Sequence, residues 1–171
     1  MAKNIVLVGF MGTGKSATGH VVAAQLSRTF VDMDAVIEER AGKKISAIFA
    51  EEGEPHFRKL EHELALELSN QSDLVIATGG GIVLNPDNIA AFEKTGVVIC
   101  LHAEPDMILH RVSKHTHRPL LQNDDKTAAI RELLAKRKPL YDAISLSIET
   151  THQTPQETAQ EVVALYMGQI A

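Results

Sequence analysis

The residues best suited to chemistry lie near the start of the chain. An apolar run, Ile5-Val6-Leu7-Val8, ends at Gly9, and residues 9–16 read GFMGTGKS, a G-x-x-x-x-G-K-S pattern. Between a strand and a helix this pattern marks a phosphate-binding loop. Glycine backbone reaches φ > 0 and turns successive N–H groups inward around a polyphosphate. Lys15 then reaches the outer phosphates, and the Ser16 hydroxyl can ligate Mg²⁺. A helix opening near Lys15 points the positive end of its dipole at the same anion. A glycine-rich turn without a ligand is the plain alternative.

Further candidates follow along the chain. Asp32 and Asp34 flank Met33 after the short apolar run Phe30-Val31. In an extended segment the period of two sets both carboxylates on one face. Beside a phosphate loop, one would serve hydrated Mg²⁺ and the other would hold an acceptor hydroxyl. The rival reading is a helix cap, with Asp34 preceding the helix. Arg58 lies one turn before Glu61, which could fix the guanidinium for a bidentate grip on a carboxylate. From composition alone the plainer reading is favoured, an exposed ion pair worth under about 1 kcal/mol. Gly79-Gly80-Gly81 presents bare backbone at an entropic cost, which suits close approach of a ligand better than a plain turn. Thr78 stands where phosphate-loop enzymes often carry an acidic residue near Mg²⁺, which shifts weight onto Asp32. Arg118, in a polar stretch, and Arg137 are cations that could stabilise a transferring phosphoryl group, against the alternative of ordinary solvated arginines. His110, His115 and His117 match no common zinc spacing.

These residues need a scaffold. The 171-residue chain suits one domain with a sizeable core, being 44% hydrophobic and 23% charged. Its net charge of −5 and the lack of a basic run argue against nucleic acid or anionic membrane as the main partner. Phosphate binding must then come from a few focused cations. Cys100, the single cysteine, lies in an apolar run and reads as a buried inert thiol. No targeting pattern and no run of about 18 apolar residues is found, so the expectation is a soluble, cytoplasmic protein.

Apolar periodicity places strands at 5–8, 30–32, 74–77, 97–101 and 144–149. Helices are expected at 15–28, at 35–40 stopped by Gly42, and at 45–52 stopped by Gly53. Others span 55–70, 86–94 stopped by Gly96, 104–112, 126–143 and from Pro155 to the end. Pro139 predicts a break or kink near Lys138, and 113–125 reads as a loop. Strands alternating with helices mean right-handed crossovers and a parallel sheet covered on both faces, an α/β fold. Ligands then bind over the carboxyl ends of the strands.

With these pieces placed, the chain resembles the shikimate kinases, members of the P-loop fold of small-molecule and nucleoside monophosphate kinases. The likeness runs through GFMGTGKS at 9–16, FVDMDAVIEE at 30–39, IFAEEGEPHFRKLE at 48–61, ATGGGIV at 77–83, RPLL at 118–121 and KRKPLY at 136–141. It implies a three-layer α/β/α domain with five parallel strands in order 2-3-1-4-5. It makes 33–61 a shikimate-binding subdomain and 112–124 a lid. The implied reaction moves the ATP γ-phosphoryl group to the 3-hydroxyl of shikimate, giving shikimate 3-phosphate and ADP in aromatic amino-acid (chorismate) biosynthesis. Gly12, Thr13, Gly14, Lys15, Ser16 and Ala17 would hold ATP, with Ser16 and, through water, Asp32 serving Mg²⁺. Asp34, Arg58, Gly80 and Arg137 would bind shikimate, the arginines taking its carboxylate. Gly79 and Gly81 would lie alongside, and Phe49 and Phe57 would wall the ring. Lys15, Asp34 and the lid residue Arg118 would be catalytic, and Arg118 would also contact ATP. Arg111 and Pro155 would sandwich adenine. A monomer is the implied state.

Departures are Glu149, where Asp is commoner, and the lid histidines His115 and His117. A kinase of gluconate or a nucleoside monophosphate shares the loop and size. Asp34, Arg58, Gly80 and Arg137 together favour a hydroxy-carboxylate. A non-catalytic nucleotide switch is the other rival. The chain lacks an N-K-x-D motif, and it retains Lys15, Asp34 and Arg118.

Overall fold

A computed structural model describes residues 2–115 and 124–171. Arg118, His117 and most of the expected lid lie outside the described residues.

Five strands, β1 (Asn4–Val8), β2 (Thr29–Asp32), β3 (Leu74–Ala77), β4 (Gly96–His102) and β5 (Leu146–Glu149), form one sheet in the order β2-β3-β1-β4-β5. Every pairing is parallel. The central strand β1 is apolar and buried throughout, because helices cover both faces. Its side chains alternate as a strand must. Val6 and Val8 enter a core with Met33, Ile48, Phe57 and Phe92, whereas Ile5 and Leu7 enter one with Val22, Ala159 and Tyr166. Around it lie α1 (Lys15–Leu26), α2 (Met33–Ala41), α3 (Ile45–Glu52), α4 (Glu54–Ser69), α5 (Pro86–Thr95), α6 (Pro105–His115), α7 (Asp124–Asp142) and α8 (Pro155–Ile170). The layer order is the expected three-layer α/β/α arrangement.

Register brings the chemistry together. Leu7 and Asp32 both pair with Ala77, so β1, β2 and β3 end at one level. Gly9, Asp32 and Thr78 therefore emerge side by side at the carboxyl edge of the sheet, where ligands of such sheets bind. Thr78 turns its hydroxyl back to Leu7 O at 3.0 Å.

Several boundaries differ from the sequence pattern. Helix α2 starts at Met33, and Asp32 rather than Asp34 is its cap, accepting the Ala35 N–H at 3.2 Å. The two carboxylates are thus not successive teeth of one extended strand; Asp34 sits in the first helical turn. Helix α6 continues through Ser113 to His115, into the stretch expected as loop. Helix α7 runs through Pro139 without a break, and the Ala143 N–H donates to Pro139 O at 3.2 Å. Packing of Ile130, Leu133, Leu134 and Tyr141 against the core outweighs one lost helical bond. Gly96 is extended (φ −145, ψ 179) and opens β4 instead of capping α5 in the left-handed region. Without a Cβ it lets the Asn4 carbonyl approach; a Cβ would lie 2.9 Å from that oxygen. Strand β5 starts at Leu146, two residues later than the alternation suggested.

Candidate active site

Residues 9–14 wrap between β1 and α1, with Gly12 at φ 78 and Gly14 at φ 96, conformations that side chains rarely adopt. Lys15 folds back into this loop and donates to Gly9 O at 2.7 Å and Phe10 O at 2.9 Å. Burial pulls its ammonium pKa down to about 8, against the opposing pull of Asp34 and Asp32. The Ser16 hydroxyl donates to Asp32 Oδ2 at 2.9 Å, while Asp32 Oδ1 caps α2. Asp32 therefore fills the cap and still presents an oxygen beside Ser16. Two hard oxygen donors fit a hydrated Mg²⁺, which keeps several waters and takes few protein ligands.

On the other side of the loop, Arg111 Nη1 donates to Gly12 O at 3.2 Å and to Thr150 Oγ1 at 3.0 Å, and its Nη2 donates to Thr150 O at 2.6 Å. The arginine expected beside adenine is thus moored to the phosphate loop. Pro155 is the first residue of α8, behind a reciprocal capping box of Thr154 and Glu157. Glu149 is held by its own turn, accepting from the Thr151 N–H at 3.0 Å and from the Thr151 hydroxyl.

Next to the loop opens a cavity of about 640 Å³, lined by Met11, Asp34, Ile45, Phe49, Glu54, Phe57, Arg58, Glu61, Gly79, Gly80, Gly81, Leu84, Leu133, Lys136, Arg137 and Leu140. The rings of Phe49 and Phe57 lie 4.9 Å apart on one wall. The three glycines interleave with charged groups. A Cβ on Gly79 would come 2.8 Å from Asp34 Oδ1 and 3.1 Å from Glu61 Oε2, and one on Gly81 would overlap the Arg58 guanidinium. A Cβ on Gly80 would point between Met11 N at 3.5 Å and Arg137 Nη1 at 3.7 Å.

Arg58 Nη1 donates to Glu61 Oε1 at 2.9 Å, and Glu54 Oε1 receives Nε and Nη2 at 3.3 Å. The Glu61 side chain is only 2% exposed, so the plain reading of this pair as a solvent-exposed bridge is overturned. Burial is the main cause that raises the pKa of both Glu61 and Asp34; Arg58 pulls each of them down. Among the described residues, Asp34 Oδ1, Glu61 Oε2 and Arg137 Nε are buried without a hydrogen-bond partner. All three residues line the same cavity, as expected of groups that meet a polar ligand.

Sequence reasoning gave no role to Tyr141, whose buried hydroxyl donates to Gly80 O at 2.5 Å across 61 residues of sequence. Lys136 and Met11 also line the cavity without having been singled out. For Tyr141 the available signal was its place four residues after Arg137, which sets both on one helix face.

A phosphate loop whose lysine and serine stand beside a cavity with an acid and two arginines defines a P-loop small-molecule kinase. The family model for shikimate kinase matches residues 11–166. A shikimate kinase of Caldanaerobacter subterraneus subsp. tengcongensis is 46% identical over 165 residues, covering 96% of both chains. The solved structure of a shikimate kinase from Acinetobacter baumannii, in complex with shikimate, superposes with a TM-score of 0.89 at 36% identity, covering 99% of this chain and 95% of that one. The chain belongs to the shikimate kinase family, and it is an ATP-dependent enzyme of that activity. A gluconokinase from Sinorhizobium meliloti 1021 has a TM-score of 0.62 at 14% identity over 98% of this chain and 95% of its own; this likeness shows the fold alone.

Proposed function

We propose that the two halves of this site divide the reaction between them. Residues 12–17 hold the ATP phosphates, and the cavity formed by residues 33–61, 79–81 and α7 holds shikimate. Arg58 and Arg137 receive its carboxylate, and Phe49 and Phe57 flank its ring. Asp34 holds the 3-hydroxyl and takes its proton as the new P–O bond forms and the bond to ADP breaks. Because phosphoryl transfer passes through a loose transition state, placement and charge neutralisation carry the rate more than basicity does. Lys15 supplies positive charge on the outer phosphates once it leaves Gly9 O and Phe10 O. Arg118 completes the cationic side in this reading. Ser16 and Asp32 would hold Mg²⁺, which when bound neutralises phosphate charge. Arg111 and Pro155 flank the base. A cytoplasmic monomer that takes neither nucleic acid nor membrane as partner belongs to the same proposal.

The observation that carries it is the buried Asp34 Oδ1, which has no hydrogen-bond partner among the described residues, in a cavity that also holds Arg58 and Arg137, whose Nε likewise has none among them. A buried acid sharing one cavity with two arginines matches a substrate with a hydroxyl and a carboxylate. The test is ADP release on addition of shikimate, gluconate or a nucleoside monophosphate. Release with shikimate alone supports the assignment, and equal release with gluconate refutes the clamp.

A further inference from the structure

Thr150, the residue after β5, is 2% exposed and joins three distant segments. Its hydroxyl lies 3.0 Å from Arg111 Nη1, 3.0 Å from Thr13 O and 2.9 Å from His102 O. A hydroxyl carries one proton and two lone pairs, so this one accepts from Arg111 and donates to one carbonyl at a time. His102 O already receives the Thr150 N–H at 2.7 Å, which leaves Thr13 O in greater need of the proton. Arg111 Nη1 also reaches Gly12 O at 3.2 Å. The phosphate loop, α6 and the turn after β5 therefore meet on one side chain, with Thr13 and Thr150 separated by 137 residues.

The effect on the loop is geometric. A trans peptide directs its C=O and the following N–H to opposite sides. Holding Thr13 O toward Thr150 therefore fixes the Gly14 N–H on the far side of that peptide. Gly14 (φ 96) forms one end of this peptide and Gly12 (φ 78) precedes Thr13, and glycine's conformational freedom leaves such a peptide loose unless something outside holds it.

We propose that Thr150 is a positioning residue for the nucleotide. Its hydroxyl fixes the Thr13–Gly14 peptide and the Arg111 guanidinium together, so that phosphate and base contacts are preformed before ATP arrives. It touches neither the reacting atoms nor the acceptor cavity. The inference rests on residues 9–16 as the phosphate site and on Arg111 as a base-side contact.

Thr150→Val removes the hydroxyl at nearly constant shape, and Thr150→Ser keeps it. Thr150→Val is expected to raise both the KM for ATP and the Kd for ADP by about ten-fold, with the KM for shikimate unchanged and Thr150→Ser within about two-fold of the wild type. Three results would overturn the proposal: an unchanged KM for ATP in Thr150→Val, both KM values rising together, or Thr150→Ser behaving as Thr150→Val does. If Thr150→Val does not fold, Thr150→Ala is read by the same measurements. Arg111→Ala, assayed separately for ADP affinity, tests the underlying reading. Wild-type affinity there would remove Arg111 from the base, while the Val–Ser contrast would still report on the Thr13 peptide.

Discussion

Glu61, buried in α4, holds Arg58 by a 2.9 Å bond from Nη1, and Arg58 keeps its face on the cavity beside the phosphate loop. The anchor is fixed by the core while the Arg58 side chain stays a quarter exposed. Arg58→Ala should raise the KM for shikimate by about ten- to a hundred-fold, the worth of a charge-assisted contact, and leave the KM for ATP alone. Glu61→Ala should do both less and more. It weakens binding through a loosened Arg58, and it lowers stability by about 1–3 kcal/mol in urea unfolding, since a buried partner is lost. Unchanged shikimate affinity in Arg58→Ala would remove it from the clamp.

Asp32 does two things at once, capping α2 and meeting Ser16, and the two separate by substitution. Asp32→Asn keeps an oxygen for the Ala35 N–H but loses the charge. It should shift the Mg²⁺ requirement upward with a stability change under about 1 kcal/mol, whereas Asp32→Ala adds the loss of a cap, about 1 kcal/mol. If Asp32→Asn needs no more Mg²⁺ than the wild type, Asp32 is a cap and nothing else.

Lys15 is held in the free protein at a cost to stability. Its folded pKa of about 8 lies below the ordinary lysine value of 10.5, so its linked contribution is present above 10.5 and lost as pH falls through about 8. That lowering corresponds to about 3 kcal/mol at most, part of it offset by the two bonds Lys15 makes. Lys15→Met should therefore unfold at higher urea than the wild type at pH 7, by about 1–2 kcal/mol, with the gap closing toward pH 10.5. Its turnover should fall by at least about a hundred-fold. A gap that does not change with pH contradicts the burial account.

How much of this was readable beforehand depends on distance along the chain. GFMGTGKS is contiguous, so β1, the loop and Lys15 could be placed from the sequence, and the alternation of strands and helices carried the sheet order once the family likeness was added. Arg58 and Glu61 were recognisable as neighbours, because i,i+3 spacing puts them on one helix face. That Glu61 points into the core depends on the glycine strand end packing against it, which helix spacing does not encode. The cap at Asp32 was displaced by two residues, within the usual uncertainty of helix ends. Pro139 was misjudged because the local rule omits the packing of α7. Thr150 and Tyr141 act on carbonyls in other segments; helix spacing sets Tyr141 on the face of Arg137, but no local pattern marks the carbonyl that either residue reaches.

Asp34 gives the pH dependence. Burial raises its folded pKa, so its protonated form is favoured by folding, and that contribution to stability is lost as pH rises through the raised value. Asp34→Asn should thus stabilise the free protein at neutral pH while lowering turnover by at least about a hundred-fold. The acid limb of kcat/KM for shikimate should lie above the ordinary carboxylate range and be absent from the residual activity of Asp34→Asn. An acid limb that persists in the variant would assign it to another group.

The glycine run separates packing from ligand approach. Gly81→Ala must drive a Cβ into the Arg58 guanidinium, so it should lose stability by about 1–3 kcal/mol and shikimate affinity together, as overpacking does. Gly80 is different, since a Cβ there meets its nearest neighbour at 3.5 Å, an ordinary contact. Gly80→Ala should therefore unfold like the wild type, yet its methyl would stand on the cavity edge between Met11 N and Arg137 Nη1. If shikimate comes onto that edge, its KM rises by about ten-fold or more with no change in stability. Gly168→Ala, a helical glycine with nothing within 4 Å, serves as the reference and should gain about 0.5–1 kcal/mol. Wild-type affinity in Gly80→Ala would mean that the substrate never reaches the Gly80 backbone, and the acceptor would have to sit nearer Phe49 and Phe57.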